Sequence, residues 1–252
     1  MAESLTQALV RARQKHHLLH AADWVGAVTS AEEAYMVQDQ VAAALDWFGS
    51  APAQYWKSGG ASREVTLTHA GLAPQGVRSS PASLGDFPFF AYAMESEIAL
   101  RLGADVTPQQ AATLTHQQAE HLVDAMAVSI ELVDWRWQER KQAPSLLRLA
   151  DAQSHGALVL GEWQPYGPRD WAAQACRTTI NGEQISNVTG TLPLVEPAWL
   201  LPCWLRHCTR HGATVRAGTV VTTGSWVGLI EAKVGDLVRV EFPGIGDAEV
   251  RL

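Results

Sequence analysis

Three acidic side chains, Glu95, Glu97 and Glu131, have the residue type and spacing to hold a hard divalent cation. Glu95 and Glu97 fall in Tyr92-Ala93-Met94-Glu95-Ser96-Glu97-Ile98-Ala99-Leu100, which alternates like a β-strand. Strand side chains alternate between faces, so the two carboxylates point the same way, within reach of one ion. Met94, Ser96, Ile98 and Leu100 make a mostly apolar opposite face, so the pair could equally be the polar side of a half-buried strand. Glu131 adds weight. It lies in Val128-Ser129-Ile130-Glu131-Leu132-Val133-Asp134-Trp135, on a face otherwise formed by Val133 and Trp135. A carboxylate there loses roughly several kcal/mol of hydration unless a partner compensates it. A metal is one such partner, and an arginine or lysine from elsewhere in the chain is the other.

The elements that must position these groups fit in a chain of 252 residues, 47% hydrophobic and 18% charged, enough for one large or two small globular domains with an ample core. A formal net charge of −7, with no basic run interleaved with aromatics, argues against nucleic acid as a partner. The start, Met1-Ala2-Glu3-Ser4-Leu5, does not read as a secretory signal, and no stretch reads as a membrane span, so the expectation is a cytoplasmic protein. Cys176, Cys203 and Cys208 form no CxxC pair and read as reduced thiols. Zinc ligation by Cys203 and Cys208 with His207 or His211 fits no common spacing, and that segment reads as an amphipathic helix. Of ten tryptophans, Trp56 is the candidate for lining a site.

Helices are expected over 4–20 and 30–47, each opened by a capping spacing (Ser4 to Gln7, Ser30 to Glu33). Residues 48–91, rich in Gly, Ser and Pro, read as a long functional loop. A strand at 92–101, a helix near 116–127 opened by Thr115, and the strand carrying Glu131 follow. Beyond 155 the pattern is mostly β, with a hairpin turn at Asn181-Gly182 and one helix over 197–211 stopped by Gly212. The architecture expected is α+β: an N-terminal helical cap with an active-site loop (1–75) on a mixed β core (76–252).

Several motifs, in order, resemble the fumarylacetoacetate hydrolase superfamily, in particular its branch of 2-keto-4-pentenoate hydratases and 4-oxalocrotonate decarboxylases. Ala34-Tyr35-Met36-Val37-Gln38-Asp39 is similar to that branch's N-terminal helix, Met94-Glu95-Ser96-Glu97-Ile98-Ala99 to its E-x-E-I-A metal strand, and Ile130-Glu131-Leu132-Val133-Asp134 to its third-ligand strand. Ala150-Asp151-Ala152-Gln153-Ser154 resembles its A-D-N-A-S segment. Ala217-Gly218-Thr219-Val220-Val221-Thr222-Thr223-Gly224-Ser225 and Phe242-Pro243-Gly244-Ile245-Gly246 resemble its C-terminal signature.

The resemblance implies a β-sandwich-like roll, Mg²⁺ or Mn²⁺ on Glu95, Glu97 and Glu131, a substrate with a 2-oxo or 2-hydroxy-dienoic acid end, and a homo-oligomer. Lys57 matches the K-x-G motif and becomes the candidate acid–base group, with a pKa that burial and a nearby cation could lower. Ser154, Gly224 and Ser225 match substrate-contacting positions, although Gly224-Ser225 also reads as a plain turn. The implied activity is hydration of a 2-oxo-4-enoate or its dienol in aromatic-compound catabolism. Decarboxylation of a 2-oxo-enedioate is the alternative within the family. The chain also departs from the pattern. Ala73-Pro74-Gln75-Gly76 stands where the family carries P-D-[FY]-G, so the acid that partners the lysine is missing. Residues 62–72 read as an insertion, Asn187 to Pro197 replaces a small-residue run, and His69 is a possible stand-in acid–base group on a loop. These departures leave room for a diverged, non-catalytic paralogue that serves as an assembly partner.

Overall fold

The structure is a computed structural model that describes residues 3–85 and 87–252. The first helix, Leu5–Lys15, starts at Ser4, whose hydroxyl accepts from the Gln7 amide while the Gln7 side chain caps Ser4 in return. It ends at His16, in the left-handed region (φ 48°), short of the expected residue 20. Ala31–Ala44 follows, capped by Ser30; Glu33 turns back instead to the amide and hydroxyl of Thr29. With Ser145–Ala150 these helices bury Leu5, Leu9, Val41, Trp137 and Leu147 in an apolar cluster of their own.

Among the described residues the strands form two curled sheets. The larger holds nine strands and runs, along its main path, Thr68–Leu72, Tyr55–Gly59, Val220–Thr222, Ala93–Leu102, Val123–Val133, His155–Leu160, Val77–Ser79. The smaller runs Glu183–Thr189, Ala175–Ile180, Leu237–Phe242, Gly246–Arg251, Ala82–Ser83. Met94, Ile98, Ile130, Val240 and Phe242 belong to the main core. The expected hairpin forms at Asn181 (φ 53°) and Gly182 (φ 82°), joining the strands where Ile180 faces Glu183.

Three expectations need correction. Residues 48–91 are not one long loop, because Tyr55–Gly59 and Thr68–Leu72 pair with each other, and Tyr55–Gly59 also runs parallel to Val220–Thr222. That partner lies more than 160 residues away, so no local pattern announces it. These strands therefore belong to the large sheet rather than to a cap ending at 75. The helix expected over 116–127 stops at Glu120, and the strand carrying Glu131 already begins at Val123, where the chain turns into the core. The helix expected over 197–211 is a 3₁₀ turn, Pro197–Leu200, running into Leu201–Cys208, with Gly212 beyond it at φ 83°.

A buried charge network joins the helical layer to the large sheet. Asp151 takes Arg136 Nε on both oxygens (2.9 and 2.8 Å) and Arg13 Nη2 on Oδ1 (2.8 Å). Asp134 accepts the amides of Phe90 and Ala91 (both 2.9 Å) and lies 3.4 Å from Arg136 Nη1. Burial, then the neighbouring Arg136, pushes the Arg13 guanidinium down to about 10. Removing one partner of such a network strands the others without water. Asp151→Asn should therefore lower unfolding free energy by about 3–5 kcal/mol in a urea titration; a loss below about 1 kcal/mol would show that the network does not carry the joint.

Candidate metal and substrate site

Glu95 and Glu131 lie directly opposite each other on paired antiparallel strands, and Glu97 follows two residues later on the same face. One oxygen from each of the three carboxylates falls within 4.8 Å of the others, the only such His/Cys/Asp/Glu cluster among the described residues. The zinc reading of Cys203, Cys208, His207 and His211 therefore finds no geometric support. Like charges directly across a strand pair repel, and Glu97 and Glu131 are buried besides.

Each carboxylate is held by groups from distant strands. Glu97 Oε2 accepts the Thr222 hydroxyl and the Gly224 amide (3.0 Å), both on the segment after Val220. Glu131 Oε1 accepts Lys57 Nζ at 2.5 Å and faces His155 Nδ1 at 3.0 Å. Glu131 Oε2 is sealed from solvent and has no partner in the protein. Lys57 also donates to the Gln153 carbonyl at 3.3 Å. That carbonyl is presented by three consecutive left-handed residues, Ala152 (φ 49°), Gln153 (52°) and Ser154 (61°), a conformation costly for residues with a Cβ. The Asp151 network sits immediately before this turn and His155 immediately after it.

Titration follows from this layout. Burial raises Glu95 to about 7, with Glu131 adding to the rise and Lys57 opposing it. Burial, then Glu131 and Glu95, raises Glu97 to about 8. Burial also pushes Glu131 up, but Lys57 and His155 outweigh it and hold the carboxyl below its ordinary range. Burial works against the Lys57 charge, yet Glu131, Glu95 and Glu97 more than compensate, so its pKa is raised. The lowered lysine pKa expected from the sequence presupposes a bound cation; with the carboxylates alone around it, the shift is upward. Burial lowers His155, with Glu131 opposing the shift.

A cavity of about 840 Å³ opens beside the cluster and collects Lys57, Glu95, Glu97, Ser154, Gly224 and Ser225 in one lining, with Thr68, Trp135, Gln153, Trp226 and Leu229. Ser154 Oγ has no protein partner. Gly224 (φ 99°) spends its amide on Glu97, and the Ser225 hydroxyl donates to the Gly228 carbonyl at 2.8 Å. Both residues therefore brace the wall, and the turn reading of Gly224-Ser225 accounts for the Ser225 contact. Trp56 does not line the cavity: its Nε1 donates to the Ala53 carbonyl and its ring packs in the main core, while Trp135 and Trp226 take the expected place. His69 is not a solvated loop residue. It is buried on Thr68–Leu72, bonded through Nδ1 to Ser58 Oγ (2.8 Å), and pushed down to about 3 by burial and then Arg210. His155, Gln153 and Thr222 were not anticipated from sequence, although all lie within or beside the stretches 150–154 and 217–225.

Residues 74–252 match the model of the fumarylacetoacetate (FAA) hydrolase C-terminal domain. The chain belongs to the fumarylacetoacetate hydrolase family. Within that family it is similar to a 2-keto-4-pentenoate hydratase of Paraburkholderia xenovorans, 28% identical over 158 residues, covering 61% of this chain and 56% of the relative. A 2-keto-4-pentenoate hydratase of Burkholderia vietnamiensis is 32% identical over 165 residues, covering 61% and 57%. These matches span little more than half the length of the curated relatives. In fold, the chain superposes on 4-oxalocrotonate decarboxylase from Pseudomonas putida G7, a structure complexed with magnesium and adipate, with TM-score 0.83 at 17% identity, over 98% of this chain and 95% of that one. A fumarylpyruvate hydrolase from Pseudomonas aeruginosa, in complex with Mn²⁺ and pyruvate, superposes with TM-score 0.58 at 16% identity over 81% and 92%. No helix among the described residues is long and apolar enough to cross a membrane.

The raised carboxyl pKa values carry a stability signature. Between the ordinary 4.5 and the raised values near 7 and 8, the folded state keeps protons that the unfolded chain gives up. Stability contributed by Glu95 and Glu97 therefore falls as pH rises through that window. Thermal melts in EDTA should show this decline from pH 5 to 8, and Glu97→Gln should flatten it. An identical pH slope in the variant would show that Glu97 does not titrate there.

Proposed function

We propose that the protein is a divalent-metal-dependent hydro-lyase that adds water to a 2-oxo-4-enoate, or to its 2-hydroxy-2,4-dienoate form, to give a 4-hydroxy-2-oxo acid in aromatic-compound catabolism. The observation that carries the reading is the charge deficit at Glu95, Glu97 and Glu131. Lys57 neutralises one of three converging carboxylates, two remain, and the sealed Glu131 Oε2 lacks a partner. A dication fits that balance, and an all-oxygen donor set suits Mg²⁺ or Mn²⁺. The names of the curated relatives point to the same chemistry.

Held by Glu95, Glu97 and Glu131, the ion would act as a Lewis acid toward the carboxylate and 2-oxo oxygens of the substrate. The protein's own groups do the rest. Thr222 and Gly224 fix Glu97, and His155 fixes Glu131, so the donors are preorganised. Lys57 Nζ carries a proton at the edge of the cavity, aimed by Glu131 and the Gln153 carbonyl, and is the group that moves protons to and from the substrate. Ser154 offers an uncommitted hydroxyl, while Trp135, Trp226 and Leu229 give the cavity apolar walls that exclude water.

One observation favours decarboxylation of a 2-oxo-enedioate as a second reading, since Lys141 and Arg148 line the same cavity and could receive a second carboxylate. The missing acid beside Lys57 motivates the non-catalytic alternative, but the lysine still sits against Glu131 rather than in solvent. A homo-oligomeric, cytoplasmic enzyme is part of the same proposal.

The test is purified protein with 2-hydroxypenta-2,4-dienoate and Mg²⁺, following loss of the dienol absorbance. Glu131→Gln should cost on the order of 100-fold or more in kcat/KM, and Lys57→Met about 10²–10⁴-fold in kcat with metal affinity retained. Activity that survives both EDTA and Glu131→Gln rules the mechanism out.

A further inference from the structure

Two stretches with no counterpart in the family motifs, the loop after Gly59 and the run from Asn187 to Pro197, meet at the cavity. Gly60, Ala61 and Thr66 line it from one side, Thr191 and Pro193 from the other. The second stretch is anchored. Leu192 and Leu194 are buried in the main core, and Thr191 Oγ1 donates to the Trp226 carbonyl at 2.5 Å. The first is not anchored by burial: Ala61, Arg63, Glu64, Val65 and Thr66 are all exposed, and the core resumes only at Leu67.

Arg63 connects the two. Its Nε donates to the Leu194 carbonyl at 2.7 Å, its Nη2 pairs with Glu196 at 2.9 Å, and its guanidinium lies 3.9 Å from the centre of the Trp199 ring. Trp199 is itself stacked on His116, with ring centroids 3.8 Å apart. Between the two residues that Arg63 grips lies Val195, 53% exposed and at φ 68°. A β-branched residue rarely adopts that conformation, and it marks a segment whose shape is enforced by its surroundings. An exposed ion pair alone would add little, but a planar fork on a carbonyl and a carboxylate, stacked on indole, is a geometry only arginine supplies.

We propose that Arg63 is a positioning residue for substrate specificity. It fastens the Gly60–Leu67 loop to the fixed Thr191–Glu196 segment, and the wall so formed limits the length of acid the cavity accepts. The class of ligand, a 2-oxo acid, rests on the function proposed above; the fastening itself does not.

Two measurements separate them. Cleavage after Glu64 by a glutamate-specific protease reads the loop without any ligand, and should be about 10-fold faster in Arg63→Ala. Arg63→Lys, which keeps the charge but loses the fork, should move the same way by less. Binding of 2-oxobutanoate and 2-oxooctanoate with Mg²⁺, read by quenching of the cavity tryptophans, tests the wall. The ratio of the longer to the shorter acid's Kd should fall about 10-fold in Arg63→Ala, through gain of the longer one. Unchanged cleavage overturns the fastening. Faster cleavage with an unchanged ratio overturns the specificity role and leaves the 2-oxo acid reading standing. Wild-type protein that binds neither acid overturns that reading, and the specificity role with it, while the protease result still decides the fastening.

Discussion

Two glutamates facing each other across an antiparallel strand pair, in register and beside a third carboxylate, set the terms for everything around them. Strand pairing leaves no freedom to move them apart, because a one-residue slip would turn the shifted strand's side chains to the opposite face and break the pairing of Glu95 with Glu131. The repulsion must therefore be met locally. Lys57 meets part of it, brought in on a strand whose parallel partner is Val220–Thr222. The same short strand delivers Thr222 to Glu97. One pairing thus supplies both the cation for one carboxylate and a donor for another, and the site depends on long-range sheet topology rather than on any single loop.

The helical layer has a related role at one remove. Arg13 from the first helix and Arg136, three residues past the strand Val123–Val133, converge on Asp151, one residue before the left-handed turn that presents the Gln153 carbonyl to Lys57. Three residues with Cβ atoms in that conformation would relax if the chain were free. Fixing Asp151 on one side and His155 on the other removes that option. The charge network thus holds the strained turn in place, and through it the orientation of the lysine ammonium.

The carboxylate cluster was legible because strand alternation is a local property: Glu95 and Glu97 share a face by spacing alone, and Glu131 stood out against apolar neighbours. The lysine's neighbourhood was not. Its strand hides among Gly, Ser and Pro residues and exists because of a partner far along the chain. His69 and Trp56 misled for the same reason, since their strand or its continuation turns them toward the main core and the Leu201–Cys208 helix, away from the cavity. The direction of the Lys57 shift cannot be read from spacing, because the balance of burial against three carboxylates is a matter of distances. The helix over 116–127 failed at Val123, where the demand for a core strand overrides local periodicity.

The cavity combines an electrostatically fixed end with an end whose shape is set by side-chain reach. At the carboxylates, position follows from sheet register, and a substitution there changes charge as well as shape. Across the cavity, the wall contributed by Thr66, Thr191 and Pro193 rests on one exposed arginine gripping a segment that the core already holds. Differences of that kind alter which ligand fits without disturbing the groups that do chemistry. A chain can then diverge in the loop after Gly59 and in the run before Pro197 while keeping every contact to Glu95, Glu97 and Glu131, because among the described residues no hydrogen bond runs from Arg63, Leu194 or Glu196 to the three carboxylates.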